Sequence, residues 1–280
     1  MEQNIMMSFS VAMCVYGGDN ADFFKSAVDS VLCQTVMPSE IVLTVDGPVP
    51  QKLDNIIKEY EKNDIFKVIR FAENQGHGNA RRASVGACTN ELVALMDADD
   101  ISSPNRFEQQ LKYFNKHDAD IVGGNIAEFI GDIDNVVAYR IVCTEHSEIV
   151  EYAKKRCPMN QMTVMFKKSI YELAGGYIDW YWDEDYYLWL RMIFLGAKFG
   201  NTDAVLCKVR VGEEMYRRRG SWRYFKSELK LQNYMLKNKF IGTVTWFVNV
   251  CKRFVVQVAL PNKLRGWVFK KIARTSNLKG

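Results

Sequence analysis

The sequence predicts an α/β fold, a mostly parallel sheet flanked by helices, with a basic, aromatic helical extension at the C-terminus. Three observations carry that prediction. Short apolar runs alternate with segments of helical period through the first hundred residues. Each apolar run stops at turn residues or a polar side chain. The charge balance then inverts: residues 1–200 hold 19 Lys/Arg against 29 Asp/Glu, whereas residues 201–280 hold 18 against 4.

Phe9 to Tyr16 is an apolar run ended by Gly17-Gly18-Asp19-Asn20, which reads as a buried strand and a turn. Asp22 to Gln34 carries Phe23, Ala27, Val28, Val31 and Leu32 at helical spacing. Glu40 to Val45 is a second strand, stopped at Asp46-Gly47-Pro48, and Leu53 to Glu61 a second helix. Phe66 to Phe71 is a third strand; Asn74 to Gly78 is glycine-rich, and Asn79 to Ala87 is helical in pattern. Leu92 to Met96 is a fourth apolar strand that runs straight into Asp97. Beyond it, Arg106 to His117 and Glu145 to Arg156 read as helices. Ile121 to Ile130 reads as a strand or a pair, Met162 to Phe166 as a short strand, and Asp183 to Leu195 as a helix opening on acids. From Tyr216 onward the pattern is basic, aromatic and helical.

Composition sets the class. Of 280 residues, 48% are hydrophobic and 25% charged, which excludes a disordered chain. Seven cysteines, an odd number with no C-x-x-C pair, give neither a zinc site nor a disulfide framework, and a reducing cytoplasmic compartment is expected. The N-terminus lacks a signal-peptide pattern. Phe240 to Leu260 is the longest apolar candidate, but Lys252 and Arg253 interrupt it, so no spanning helix is expected. The basic C-terminal part calls for an anionic partner, nucleic acid or a membrane surface.

In parallel sheets ligands bind beyond the carboxyl ends of the strands. Tyr16, Asp46, Asn74 and Asp97 all follow such ends. Asp97, Asp99 and Asp100 then form an acidic cluster whose mutual repulsion calls for a cation. Carboxylate oxygens suit magnesium or manganese. A second cluster, Asp183-Glu184-Asp185, sits among Trp180, Tyr181, Trp182, Tyr186, Tyr187 and Trp189. Such a carboxylate can cap a helix or serve as a general base for a sugar hydroxyl, and aromatic faces pack on sugar rings or in cores. In Glu73 to Arg82, Gly76 and Gly78 permit close backbone approach and Arg81 suits phosphate, but the third glycine of a dinucleotide loop is missing. Arg217-Arg218-Arg219 could clamp a diphosphate or remain a solvated charge run. His77, His117 and His146 form no metal pattern and read as structural.

Together these segments resemble glycosyltransferase family 2, inverting enzymes of GT-A fold, and within it the bacterial enzymes of exopolysaccharide, capsule and O-antigen synthesis. The resemblance rests on Phe9 to Tyr16, Ser30 to Thr35, Ile41 to Pro48, Glu73 to Arg82, Met96 to Asp100 and Glu184 to Arg191. It implies a GT-A domain over 1–215, with a nucleotide half at about 1–100 and an acceptor half at about 101–215. Residues 216–280 form the helical extension. It further implies that Tyr16, Asp46 and Asn74 lie near the nucleotide, that Arg81 orients it, and that Asp97 and Asp99 hold Mn2+ or Mg2+. Asp185 is then the base, with Glu184 as the competing candidate. Asp100, Trp182 and Trp189 fall on the acceptor side, and Arg218 and Arg219 close over the diphosphate of a UDP-sugar. The implied acceptor is a saccharide on undecaprenyl pyrophosphate, met at the inner membrane face.

The chain departs from the family's habit at Val45 before Asp46, at Arg82 after Arg81, and at Gln161 where relatives carry a histidine. Trp246, Phe247, Val250, Phe254, Val255, Trp267 and Phe269, interleaved with Lys252, Arg253, Lys270 and Lys271, fit either an interfacial patch or a cap packed on the domain. A sugar nucleotidyltransferase would carry a basic glycine-rich loop after the first strand; here that loop is acidic. A nucleic-acid-binding protein is disfavoured by the acidic first 200 residues.

Overall fold

The computed structural model describes residues 7–212, 221–261 and 274–275. The first four strands alternate with helices as the sequence pattern requires: β1 (Phe9–Tyr16), α1 (Ala21–Leu32), β2 (Glu40–Asp46), α2 (Gln51–Tyr60), β3 (Phe66–Arg70), α3 (His77–Ala87) and β4 (Leu92–Met96). The turn after β1 starts α1 through Asn20, whose side chain accepts the N–H groups of Asp22 and Phe23. These four strands are parallel, in the order β3-β2-β1-β4.

Past β4 the sheet becomes mixed. β5 (Ile101–Ser102), α4 (Arg106–Lys116), β6 (Ile121–Phe129), β7 (Val136–Arg140), α5 (His146–Ala153), β8 (Met165–Lys167), α6 (Lys168–Leu173), α7 (Glu184–Phe194) and β9 (Phe199–Arg210) follow. β8 pairs antiparallel with β4 and β6, which extends the sheet to β3-β2-β1-β4-β8-β6-β9-β5, with β7 on β6. β6 and β9 run parallel with two register shifts, and β9 turns its other edge to β5.

Strand alternation sorts the core into two layers. Val11, Met13 and Val15 of β1, with Leu92, Ala94 and Met96 of β4, pack under Phe24, Leu53 and Phe107. Ala12, Val93 and Leu95 point the other way, against Val85 of α3, Ile149 of α5 and Leu188, Trp189 and Met192 of α7. Every carboxyl-end loop of the parallel half therefore emerges between two fixed layers.

The C-terminal part contributes α8 (Trp222–Lys237) and α9 (Thr243–Phe254), continued by a π-helical turn, Val255–Ala259. Tyr186 and Leu190 of α7 meet Leu231 and Met235 of α8 in a third apolar cluster. Among the described residues, no helix is long and apolar enough to cross a membrane. The set expected to form either an interfacial patch or a cap divides, with part of it packed on the domain. Trp246 packs against that third cluster and donates its Nε1–H to Asn233, and Arg253 is paired with Glu228. Trp267, Phe269, Lys270 and Lys271 lie outside the described residues, as do Arg218, Arg219 and the expected boundary at 215/216.

Candidate active site

A cavity of about 470 Å³ opens at the carboxyl ends of β1, β2 and β4. Tyr16, Asp46, Asn74, Asp97, Asp99, Trp182 and Glu184 line it, so seven of the expected site residues face one space. Asp19, His77, Trp180 and Tyr181 line it as well.

The nucleotide side is built by loop-to-loop hydrogen bonds. Asp46, at the end of β2, is buried, and its carboxylate accepts the backbone N–H groups of Gln75 at 2.7 Å and Gly76 at 3.1 Å. Asn74 returns a bond from its amide to the Asp46 carbonyl. Gly47 makes this approach possible. Its φ is +83°, and a Cβ there would lie 2.6 Å from the Asn74 nitrogen. Tyr16 keeps its ring half exposed while its N–H donates to Asp19 at 3.0 Å.

The acids after β4 alternate in burial. Asp97 and Asp99 line the cavity together with the buried Ala98 between them, whereas Asp100 is buried away from it. Asp100 is thus not an acceptor-side group, a correction to the expectation. It is buried, and it accepts the N–H of Arg210 from β9. Burial and the neighbouring Asp99 and Asp97 charges hold its carboxyl well above the ordinary range. Asp19 responds to the same field, pushed up to about 6 by burial and by Asp99.

Arg81 connects this side to the second acidic cluster. It lies on α3 with its guanidinium buried. One end donates to Asp97 at 2.8 Å, and the other to Asp185 at 2.8 Å. Glu184 stands 3.9 Å away. Arg81, expected to orient the nucleotide, donates from both ends of its guanidinium to protein carboxylates. Tyr177 adds a bond from its hydroxyl to Asp185 at 2.9 Å.

Asp185 and Glu184 are adjacent but differ in state. Burial raises the Asp185 carboxyl, and the Arg81 charge offsets that only in part. Burial acts on Glu184 too, but its hydrogen bond with His77 and the Arg81 charge outweigh it and hold the group below the usual range. His77 Nδ1 lies 3.1 Å from Glu184. Burial and Arg81 lower the proton affinity of His77, and Cys14 and Glu184 raise it by more. Neighbouring carboxyls pushed in opposite directions separate a proton acceptor from a fixed charge.

Trp182 projects from the loop before α7 with φ at +61° and is half exposed over the cavity. Such a backbone angle in a bulky residue marks a site where surrounding structure imposes the conformation. Trp189 does not share that position. It is fully buried in the second apolar layer, 6.4 Å from the Phe166 ring, and cannot meet an acceptor. Asp185 and Trp189 share a helix face, but Trp189 is one turn deeper.

Sequence reasoning missed Asp19 and His77. Asp19 occupies the first turn after β1, a position that already flagged Tyr16. His77 stands inside the glycine-rich segment, where its chemistry depends on Glu184, more than a hundred residues away.

Asp97 and Asp99 offer carboxylate oxygens to the cavity, which suit a hard divalent cation. Among the described residues no three His, Cys, Asp or Glu side chains converge as a complete cage. Asp99 and the Asp97 oxygen that Arg81 leaves open can supply one or two ligands, as magnesium sites with phosphate ligands require.

Such a sheet, with acids and aromatics at its carboxyl ends around one cavity, defines a GT-A glycosyltransferase. The chain belongs to Glycosyl transferase family 2, whose profile matches residues 10–173. It is 39% identical over 233 residues to an uncharacterised glycosyltransferase of Haemophilus influenzae, covering 80% of this chain and 86% of that one. It is 33% identical over 267 residues to the UDP-Gal:alpha-D-GlcNAc-diphosphoundecaprenol beta-1,3-galactosyltransferase of Escherichia coli, covering 95% and 96%. Among solved structures, S. aureus TarS 1-349 in complex with UDP-GlcNAc superposes with a TM-score of 0.63 at 14% identity, over 89% of this chain and 73% of that one. The mannosyltransferase PcManGT from Pyrobaculum calidifontis, in complex with GDP-Man and Mn2+, gives 0.60 at 13%, over 92% and 71%.

Proposed function

We propose that the chain transfers a hexose or N-acetylhexosamine from a UDP-sugar to a saccharide on undecaprenyl pyrophosphate, with inversion, in bacterial surface-polysaccharide synthesis. It would work in the cytoplasm, at the inner face of the membrane. The observation that carries the reading is the Arg81 bridge, which ties Asp97, on the cavity wall, to Asp185, whose neighbour Glu184 lines the same cavity. The Escherichia coli relative, similar over nearly its whole length, supplies the donor and acceptor classes.

In this reading Tyr16, Asp46 and Asn74 receive the nucleotide. Asp99, with Asp97, would hold Mn2+ or Mg2+, which would supply positive charge against the departing diphosphate. Asp185 accepts the proton of the acceptor hydroxyl as that oxygen bonds to the anomeric carbon. The bond from that carbon to the β-phosphate oxygen breaks, and its electron pair leaves with UDP. One displacement inverts the centre. Glu184, held ionised by His77 and Arg81, stays a fixed charge, and Trp182 offers a face to the acceptor ring.

A thermal-shift screen of UDP-, GDP- and dTDP-sugars with manganese, followed by product analysis on an undecaprenyl-pyrophosphate-linked saccharide, tests this. A UDP-sugar should raise the melting temperature and yield a lengthened lipid-linked product. Stabilisation by another nucleotide class, or a retained anomeric configuration, would overturn it.

A further inference from the structure

We propose that the outer face of α9, with Trp222 of α8, is a docking surface for an anionic lipid bilayer. The proposal rests on the lipid-linked acceptor reading and identifies the surface that reading leaves unassigned. On α9 and the turn after it, Val244, Phe247, Val248, Cys251, Phe254 and Val255 are all exposed, at i, i+3, i+4, i+7, i+10 and i+11. That spacing is one continuous helical face. Val244 is 76% and Phe247 61% accessible, so the apolar side chains stand outward. Trp222, also half exposed, meets Phe254 edge-on at 6.2 Å and widens the stripe. The opposite face of α9 is committed to the protein: Asn249 donates to Lys154 O and Gln232, and Arg253 pairs with Glu228.

Charge selects the occupant. Residues 221–261 carry seven Lys/Arg and one Asp/Glu, and that acid, Glu228, is buried against Arg253. Arg223, Lys226 and Lys252 are exposed around the stripe. An apolar helix face with a basic rim fits the boundary between anionic headgroups and acyl chains. A second copy of the chain would bring like charges together across a symmetric contact.

The same helix pair holds the cavity's aromatic wall. Ser227 of α8 donates to the Tyr181 carbonyl at 2.6 Å. Arg223 lies 4.0 Å over the Tyr181 ring, and Lys230 3.9 Å over Trp180. Docking through α9 would thus fix the acceptor wall relative to the bilayer that carries the acceptor.

The test is flotation of the full chain with vesicles of phosphatidylethanolamine and phosphatidylglycerol, against vesicles of phosphatidylcholine alone. A parallel assay reads transfer to a short, water-soluble acceptor pyrophosphate. The wild type should float only with the anionic vesicles. Val244→Ser with Phe247→Ser should reduce the bound fraction about tenfold, and Lys252→Glu should reduce it further. Each variant should keep its transfer to the soluble acceptor, which reports an intact fold and site. Equal flotation of variants and wild type overturns the proposal, as does a dimer that the same substitutions dissociate. A wild type that floats, with variants that do not, but that transfers to no acceptor would sink the catalytic reading and leave the docking surface standing.

Discussion

Replacing Asp185 with asparagine separates charge from shape. The amide oxygen can still accept from Arg81 and from the Tyr177 hydroxyl, at the places now 2.8 and 2.9 Å from the carboxylate. What disappears is the negative charge and the ability to take a proton. Arg81 keeps Asp97 at 2.8 Å and Glu184 at 3.9 Å, so its buried guanidinium retains partners. The stability cost should therefore stay under about 2 kcal/mol, the range for weakening one charge-assisted hydrogen bond. Turnover should fall by ~10²–10⁴, the usual contribution of a placed base, which corresponds to about 3–5 kcal/mol in the barrier. Donor affinity should hardly change, because Asp185 does not join the nucleotide wall. The assay is UDP release under saturating donor and acceptor, paired with calorimetry of UDP binding in manganese. Glu184→Gln is the control. It should cost less in turnover, because burial raises Asp185 whereas His77 and Arg81 keep Glu184 low and ionised. The wild-type rate should also fall as pH drops through the raised Asp185 value, a limb that Asp185→Asn removes. If Asp185→Asn kept more than about a tenth of wild-type turnover while Glu184→Gln lost about a thousandfold, the base would be Glu184 and the reasoning from opposed pKa shifts would fail.

Asp99→Ala should weaken UDP binding in the presence of manganese and leave metal-free binding nearly unchanged; calorimetry with and without the cation reads the difference. Asp19 gives a pH signature. Its carboxyl is raised to about 6, first by burial, so in the metal-free protein its contribution to stability is full below the unfolded value and lost as pH rises through about 6. Asp19→Asn should therefore melt higher than the wild type at pH 7.5 and not at pH 4, by no more than about 2 kcal/mol given its partial exposure. Equal melting temperatures at both pH values would contradict that assignment. Trp189→Ala should cost about 3–5 kcal/mol as a core cavity, measured by denaturant unfolding, with UDP affinity of the folded fraction unchanged. A Trp189→Ala protein of normal stability and lost acceptor use would restore Trp189 to the acceptor side.

The parallel half was legible because its signals are local. β1, β2 and β4 are short, mostly apolar runs that stop at turn or polar residues, and β4 matches the expected Leu92 to Met96. The mixed half was less legible for the opposite reason. β9 reads Phe-Gly-Asn-Thr-Asp-Ala-Val-Leu-Cys-Lys-Val-Arg, with polar residues in its middle and register shifts against β6, so neither alternation nor a continuous apolar run marks it. Its pairing is fixed by β6 and β5, both distant in sequence. Within the site, residue identities were readable but directions were not. Asp97, Asp99 and Asp100 look equivalent as letters, yet only the first two reach the cavity. The aromatics around Glu184 look like one sugar platform, but Trp182 leaves the loop toward solvent and Trp189 enters the core.

Arg81 shows why those directions matter to the chemistry. A fully buried guanidinium is tolerated only with charge partners, and this one has them from two separate segments of the chain. Asp97 follows β4 in the parallel half; Asp185 starts α7, which packs on the opposite side of the sheet from α1 and α2. A single rigid cation thus sets the distance between the acids on the donor side and the carboxyl proposed as base. The same charge lowers Glu184 and only partly offsets the burial of Asp185, so it fixes position and helps divide their protonation. A lysine there would keep the charge but lose the fork that spans both carboxylates. Arg81→Lys should therefore reduce turnover far more than donor affinity. The same substitution weakening UDP binding and turnover equally would mean that Arg81 serves the nucleotide after all.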